Sequence, residues 1–209
     1  MNASPTPASA FKPTPFFEHG EGIGAYGCVS VAAPIFLSED DAFEIIKDEF
    51  AKLNLTVEKS GNKVTNIQIP YVYPSYDGDD KAKTHTGTLD FDFSIKGKNI
   101  DMEYVSSDDM FAWVNPEDGY NTAYSLNYKK AAKTLNDSLN DAKLKQAHGV
   151  FYDPAASIDI DIDSIENIDD ETWEKNMEEA GAKSREEAVN ALREQTKDFL
   201  AWLSAQGII

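Results

Sequence analysis

Two hydrophobic periods alternate along this chain, and the changes of period mark its elements. Across residues 38–54, Phe43, Ile46, Phe50 and Leu53 recur at helical spacing. Ser38-Glu39-Asp40-Asp41 opens that helix as a capping box, with acids at its positive end, and Asn54 stops it. A period of two then takes over. Residues 56–59 and 63–69 flank the turn signal Ser60-Gly61-Asn62, and Ile67, Ile69, Tyr71 and Tyr73 alternate past Pro70, which favours the end or edge of a sheet. Leu89, Phe91, Phe93 and Ile95 alternate with Asp90, Asp92, Ser94 and Lys96. Gly97-Lys98-Asn99 turns the chain and Ile100, Met102 and Tyr104 continue the pattern, so residues 87–105 are expected to form a hairpin.

The second half returns to helical spacing. Tyr124, Tyr128, Ala131, Leu135, Leu139 and Ala142 form one stripe of a helix expected over about 122–146. Val150-Phe151-Tyr152, ending at Asp153-Pro154, reads as a short buried strand. Residues 171–180 and 185–205 read as helices separated by Gly181, with Val189, Leu192, Phe199 and Leu203 as the core face of the last. Strands grouped early and helices late predict an α+β fold, a small and mainly antiparallel sheet packed against several helices, with a long C-terminal helix. Pro5, Pro7, Pro13 and Pro15 make residues 1–17 an expected flexible linker, leaving residues 18–209 as a single domain.

Composition narrows the partners. Hydrophobic residues form 41% of the chain, enough for a packed core. With 37 Asp and Glu against 19 Lys and Arg, the net charge of −18 repels phosphate backbones and anionic membranes, so nucleic acid is excluded as a partner. An unknown protein or a soluble ligand remains. No apolar run approaches the roughly 20 residues of a membrane span, so direct membrane insertion is not expected. Met1-Asn2-Ala3-Ser4 has neither the basic nor the apolar region of a signal peptide. The linker is expected either to be a membrane tether whose N-terminal anchor has been removed or to be idle. Cys28 stands alone, so no intrachain disulfide forms; a cytoplasmic protein fits this too.

Candidate chemistry is sparse. Gly22, Gly24 and Gly27 fit the G-x-G-x-x-G spacing of a dinucleotide turn, but a proline-rich tail precedes them and strand-like Val29-Ser30-Val31 follows. No cofactor is therefore expected there. Cys28 with His19, His85 or His148 as base is the candidate for nucleophilic hydrolysis, because an imidazole can supply the thiolate. Asp159, Asp161 and Asp163, with Asn167 and Asp170, follow the count of a calcium loop and are the candidate metal ligands for weak Ca²⁺ binding. Ser164 stands where that loop needs glycine, and Asp170 where it needs a long bidentate Glu. Trp113, Tyr120 and Tyr76 lie in or beside polar loops and are the candidate ligand-binding residues, as platforms for sugars or peptides. The expected function is a binding or interaction domain without catalysis, with the Cys28 hydrolase and the Ca²⁺ module as alternatives.

Two segments, residues 24–42 from Gly24-Ala25-Tyr26-Gly27-Cys28 to Ser38-Glu39-Asp40-Asp41-Ala42, and Leu192-Arg193-Glu194-Gln195-Thr196-Lys197-Asp198-Phe199-Leu200-Ala201-Trp202-Leu203, resemble uncharacterised exported or lipoprotein-type domains of anaerobic bacteria. The resemblance implies a secreted, extracytoplasmic or cell-surface setting in the cell envelope and a tethering role for the tail. It implies no activity, cofactor or site residue.

Overall fold

The computed structural model describes residues 12–27, 34–72, 83–114, 123–158 and 169–209. At its centre is strand β6 (Ile100–Val105), whose six residues are all buried. It pairs antiparallel with β5 (Phe93–Ile95), which pairs with β2 (Val57–Lys59), and parallel with β8 (Ala147–Tyr152), giving the order β2-β5-β6-β8. Side chains alternate across a strand, so the sheet feeds two cores. Ile100, Met102, Tyr104 and Phe151 join the helices α1 (Glu39–Ala51) and α4 (Asp170–Ala205) in one. Val105, Val150 and Tyr152 join α3 (Tyr128–Asp141) and the ribbon of β3 (Lys63–Pro70) and β4 (Thr84–Asp90) in the other. The fold is α+β, with a mainly antiparallel sheet content and a long C-terminal helix.

Local signals explain where several elements start and stop. Ser38 caps α1 through a reciprocal box with Asp41, and Asn54 leaves the helix at φ 59°. The buried stripe is Ala42, Ile45, Ile46, Glu49 and Phe50, while Leu53 lies beyond the helix and is 51% exposed. Pro70 ends β3, where its missing donor is harmless. In α4, Leu192, Phe199 and Leu203 are buried as expected, and Val189 is only partly so.

Four expectations are corrected. Residues 87–105 are not one hairpin: β5 and β6 form it around Gly97, whereas residues 84–90 pair with β3. The break falls at Asp92, whose carboxylate accepts the Tyr104 N–H at 2.8 Å where a ladder bond would run. The helix expected over 122–146 begins with a strand, β7 (Ala123–Asn127), because β1 (Ile23–Gly27) supplies an antiparallel partner. Asn127 then caps α3 by accepting the Lys130 N–H at 2.8 Å. Gly181 lies within a continuous helix and divides nothing. One helical glycine costs about 1 kcal/mol, which 36 continuous residues and the Ser184 hydroxyl bond to the Ser157 carbonyl outweigh. Residues 12–17 of the expected linker are docked on the domain: Thr14 is 2% exposed, Phe17 9%, and Phe16 stacks on Tyr152. Aromatic burial there overrides the solvation that prolines favour.

Candidate functional site

The carboxyl ends of the parallel strands β6 and β8 lie under the N-termini of α1 and of α2 (Ser107–Ala112), and carboxyl groups collect there. Ser106 caps α2, accepting from the Asp109 N–H at 3.3 Å while Asp109 Oδ2 accepts the Ser106 N–H at 2.9 Å. The Ser106 hydroxyl lies 2.8 Å from Asp109 Oδ2 and 3.3 Å from Glu39 Oε1, so it joins the two helix starts. Asp92 is half-buried beside them, and Glu103 is 1% exposed with its Oε2 lacking any hydrogen-bond partner.

Burial first, and then the charges of Asp92, Asp109 and Glu39, push the Glu103 carboxyl well above its ordinary range. Burial likewise raises Asp109, and pushes Asp92 up to about 7. Asp153, at the end of β8, is fully buried and also pushed up to about 7 by burial. Its two oxygens accept the Leu37 and Ala155 N–H groups, each at 2.8 Å, so it ties the approach to α1 to the loop after β8. Burial thus raises the pKa of Asp92, Glu103, Asp109 and Asp153 together, and the three aspartates fasten backbone amides. Among the described residues, no group of three His, Cys, Asp or Glu is placed to hold a metal ion.

The three histidines occupy three separate places. His19 Nε2 lies 2.8 Å from Asp198 Oδ2 on α4, at the surface. His85 on β4 stacks against Tyr71, with ring centroids 4.4 Å apart. His148 on β8 is fully buried with neither ring nitrogen bonded, and burial lowers its pKa to about 4, so the imidazole is neutral. His148→Leu is expected to raise stability by about 1–2 kcal/mol at pH 7, because leucine fills a similar volume without two orphaned nitrogens. Urea unfolding reads this; a loss of similar size is the contrary result. Cys28 lies outside the described residues, as do Asp159, Asp161 and Asp163. The glycines at 22, 24 and 27 lead into and form β1 instead of a strand-to-helix turn, and the Phe36 ring fills the space a side chain at Gly24 would need.

Of the expected ligand-binding residues, Trp113 is half-buried and packs against the second core, while Tyr76 and Tyr120 lie outside the described residues. The Val72 N–H donates to the Trp113 carbonyl at 2.9 Å, and Val72 pairs with Val114 as a short parallel bridge. That junction brings the Tyr71–His85 stack, Trp113 and the 42% exposed Phe111 to one corner.

The acidic centre leaves little trace in the sequence. Its one local signal is the capping box Ser106-Ser107-Asp108-Asp109; Asp101 and Glu103 on β6 look like the wet side of an ordinary alternation. Comparison with protein-family models, with curated proteins and with solved structures finds no match to this chain.

Proposed function

We propose that this chain is a binding domain without catalysis, working outside the cytoplasm, with the aromatic corner at Val72–Trp113 as its recognition surface. The observation that carries the reading is the Val72–Trp113 bond, which sets a stacked Tyr71–His85 pair beside a tryptophan and an exposed phenylalanine. Flat rings at a surface accept the apolar faces of sugars or peptide side chains. A net charge of −18 restricts the ligand to neutral or cationic species. The carboxyls of the acidic centre fit a structural role, since Asp92 and Asp153 each bind backbone N–H groups.

Titration with neutral hexose and N-acetylhexosamine oligosaccharides, followed by tryptophan emission, tests the surface. Saturable quenching is expected, and Tyr71→Ala should weaken binding roughly fivefold to tenfold. Trp113→Ala should abolish the emission change. Binding that Tyr71→Ala leaves unaltered, or no response to any oligosaccharide, removes the assignment. The setting rests on the resemblance of residues 24–42 and 192–203 to exported domains and is tested by antibody labelling of intact cells; label reaching the protein only after lysis opposes it.

A further inference from the structure

Residues 14–19 lie on the domain as a bound peptide lies in its groove. Prolines on either side of Thr14 donate no N–H and keep the chain extended, so Thr14 carries the one amide donor of that tripeptide. Asn140 Oδ1 accepts that N–H at 2.9 Å, and the Asn140 and Asn136 side-chain amides donate to the Thr14 carbonyl at 3.0 and 3.1 Å. Further along the same face of α3, Lys133 lies over the Phe16 ring and Lys129 pairs with Glu18 at 2.7 Å. These four α3 residues recur every three or four positions, so a single helix face reads the segment. The opposite wall comes from α4. Phe17 meets Phe199, Asp198 holds His19, and the Gln195 amide donates to the His19 carbonyl at 3.0 Å. Gln195 also bonds both the N–H and the carbonyl of Tyr152, and Tyr152 stacks on Phe16 as the floor.

The strap is joined to the domain through Gly20 and Gly22, at φ 87° and 64°. A Cβ at Gly20 would come 2.7 Å from the Pro154 Cβ, and one at Gly22 2.7 Å from the Tyr152 ring. The sharp return that seats the strap on its own domain therefore depends on two glycines in the left-handed region. An open groove of about 300 Å³, whose lining includes Gly20, Pro154, Glu187 and Ala191, borders the hinge and leaves room for it to straighten.

The geometry points to this groove as an interaction surface for the Thr14–His19 segment of a second copy of the chain, exchanged reciprocally for its own. The bonds from Asn136, Asn140, Gln195 and Asp198 to residues 14–19 are made to the strap itself, so each can be remade from a neighbouring molecule. The hinge is held separately, by the Gly22 N–H to the Pro154 carbonyl at 2.8 Å, the Tyr152 hydroxyl to the Gly20 carbonyl at 3.1 Å and the Lys129 N–H to the Gly22 carbonyl at 3.4 Å, and these bonds are given up when it straightens. The groove's holds are matched to this one segment, so the occupant is the chain's own sequence. Two copies at −18 repel each other, so the exchange is favoured by salt.

Light scattering on the full chain carrying Gly20→Ala and Gly22→Ala, at high protein and salt concentration, tests this. The closed return becomes strained in the variant while an extended hinge does not, so its dimerisation constant should exceed that of the parent chain by roughly tenfold or more. Excess peptide of residues 12–19 should then convert the dimer to monomer by filling the groove. A folded variant that stays monomeric overturns the proposal, and so does a dimer that the peptide leaves intact. Should the variant not fold, the labelled peptide is titrated onto the parent chain. Saturable uptake that Asn140→Ala abolishes supports exchange, and no uptake, or uptake indifferent to that substitution, overturns it.

Discussion

The melting temperature is expected to fall by roughly 5–10 °C between pH 5 and pH 8, the reverse of the usual behaviour of a carboxylate-rich protein. The direction follows from Asp92 and Asp153, whose pKa values rise from 3.8 to about 7 on burial. Between those limits the folded chain holds protons that the unfolded chain has released. The stability they contribute is complete below pH 4 and is lost as pH rises through 7. Glu103 and Asp109 are shifted in the same direction. His148 opposes them: lowered from 6.5 to about 4, it contributes stability above pH 6.5 that is lost on acidification. One imidazole against at least two carboxyls leaves a net loss on the order of 3 kcal/mol from pH 5 to pH 8. A domain of this size turns each kcal/mol into about 2–4 °C. Glu18 and Asp41, whose pKa values are lowered, give up their contribution only in stronger acid. Calorimetry at pH 5, 6, 7 and 8 measures the slope, and Asp92→Asn should flatten it. A melting temperature that is level or rises over this range contradicts the protonated acidic centre.

Those buried acids also show why the sequence yields some of this fold and hides the rest. A capping box such as Ser38–Asp41 needs only neighbouring residues, and so it is legible. The short apolar run 150–152 is legible for the same reason. Asp101 and Glu103 alternate with Ile100, Met102 and Tyr104 just as a half-wet strand would. Only the packing of cores on both faces of β6 turns that polar side inward, where burial pushes the Glu103 carboxyl well above its ordinary range. Tyr124 and Leu126 fit helix and strand alike, and the decision belongs to β1, a hundred residues away in sequence. The strap escapes notice because Pro13 and Pro15 signal solvated chain, while Asn136 and Asn140, which hold Thr14, look like ordinary exposed helix residues. The candidate residues read from the sequence fare unevenly: His19 has an acid partner, His85 and Trp113 share one corner, and His148 is sealed.

Phe199→Ala is expected to destabilise the fold by about 3–5 kcal/mol and to free the strap before the rest of the chain unfolds. Phe199 is fully buried, and its ring meets those of Phe17, Phe50, Phe151 and Trp202 with centroids 5.6–6.3 Å apart. It also lies where a side chain on Gly149 would have to go, 2.9 Å from that position, so the ring packs directly on the backbone of β8. Removing it leaves a cavity that α4 cannot close without leaving Phe50 and Phe151. The strap reaches this core through Phe17, and its other holds are the Phe16 stack on Tyr152, a few hydrogen bonds and surface ion pairs, each of modest worth. Hydrogen exchange separates the two effects. In the Phe199→Ala chain the Phe17 and Thr14 amides should exchange faster than those of β6, whereas in the parent chain the gap should be smaller. Phe17→Ala should release the same amides at a fraction of the global cost, since β6, β8 and α1 keep their packing. Strap amides that exchange in step with β6 in both variants would mean that residues 14–19 are an inseparable portion of the core, held there by more than the contact with Phe199.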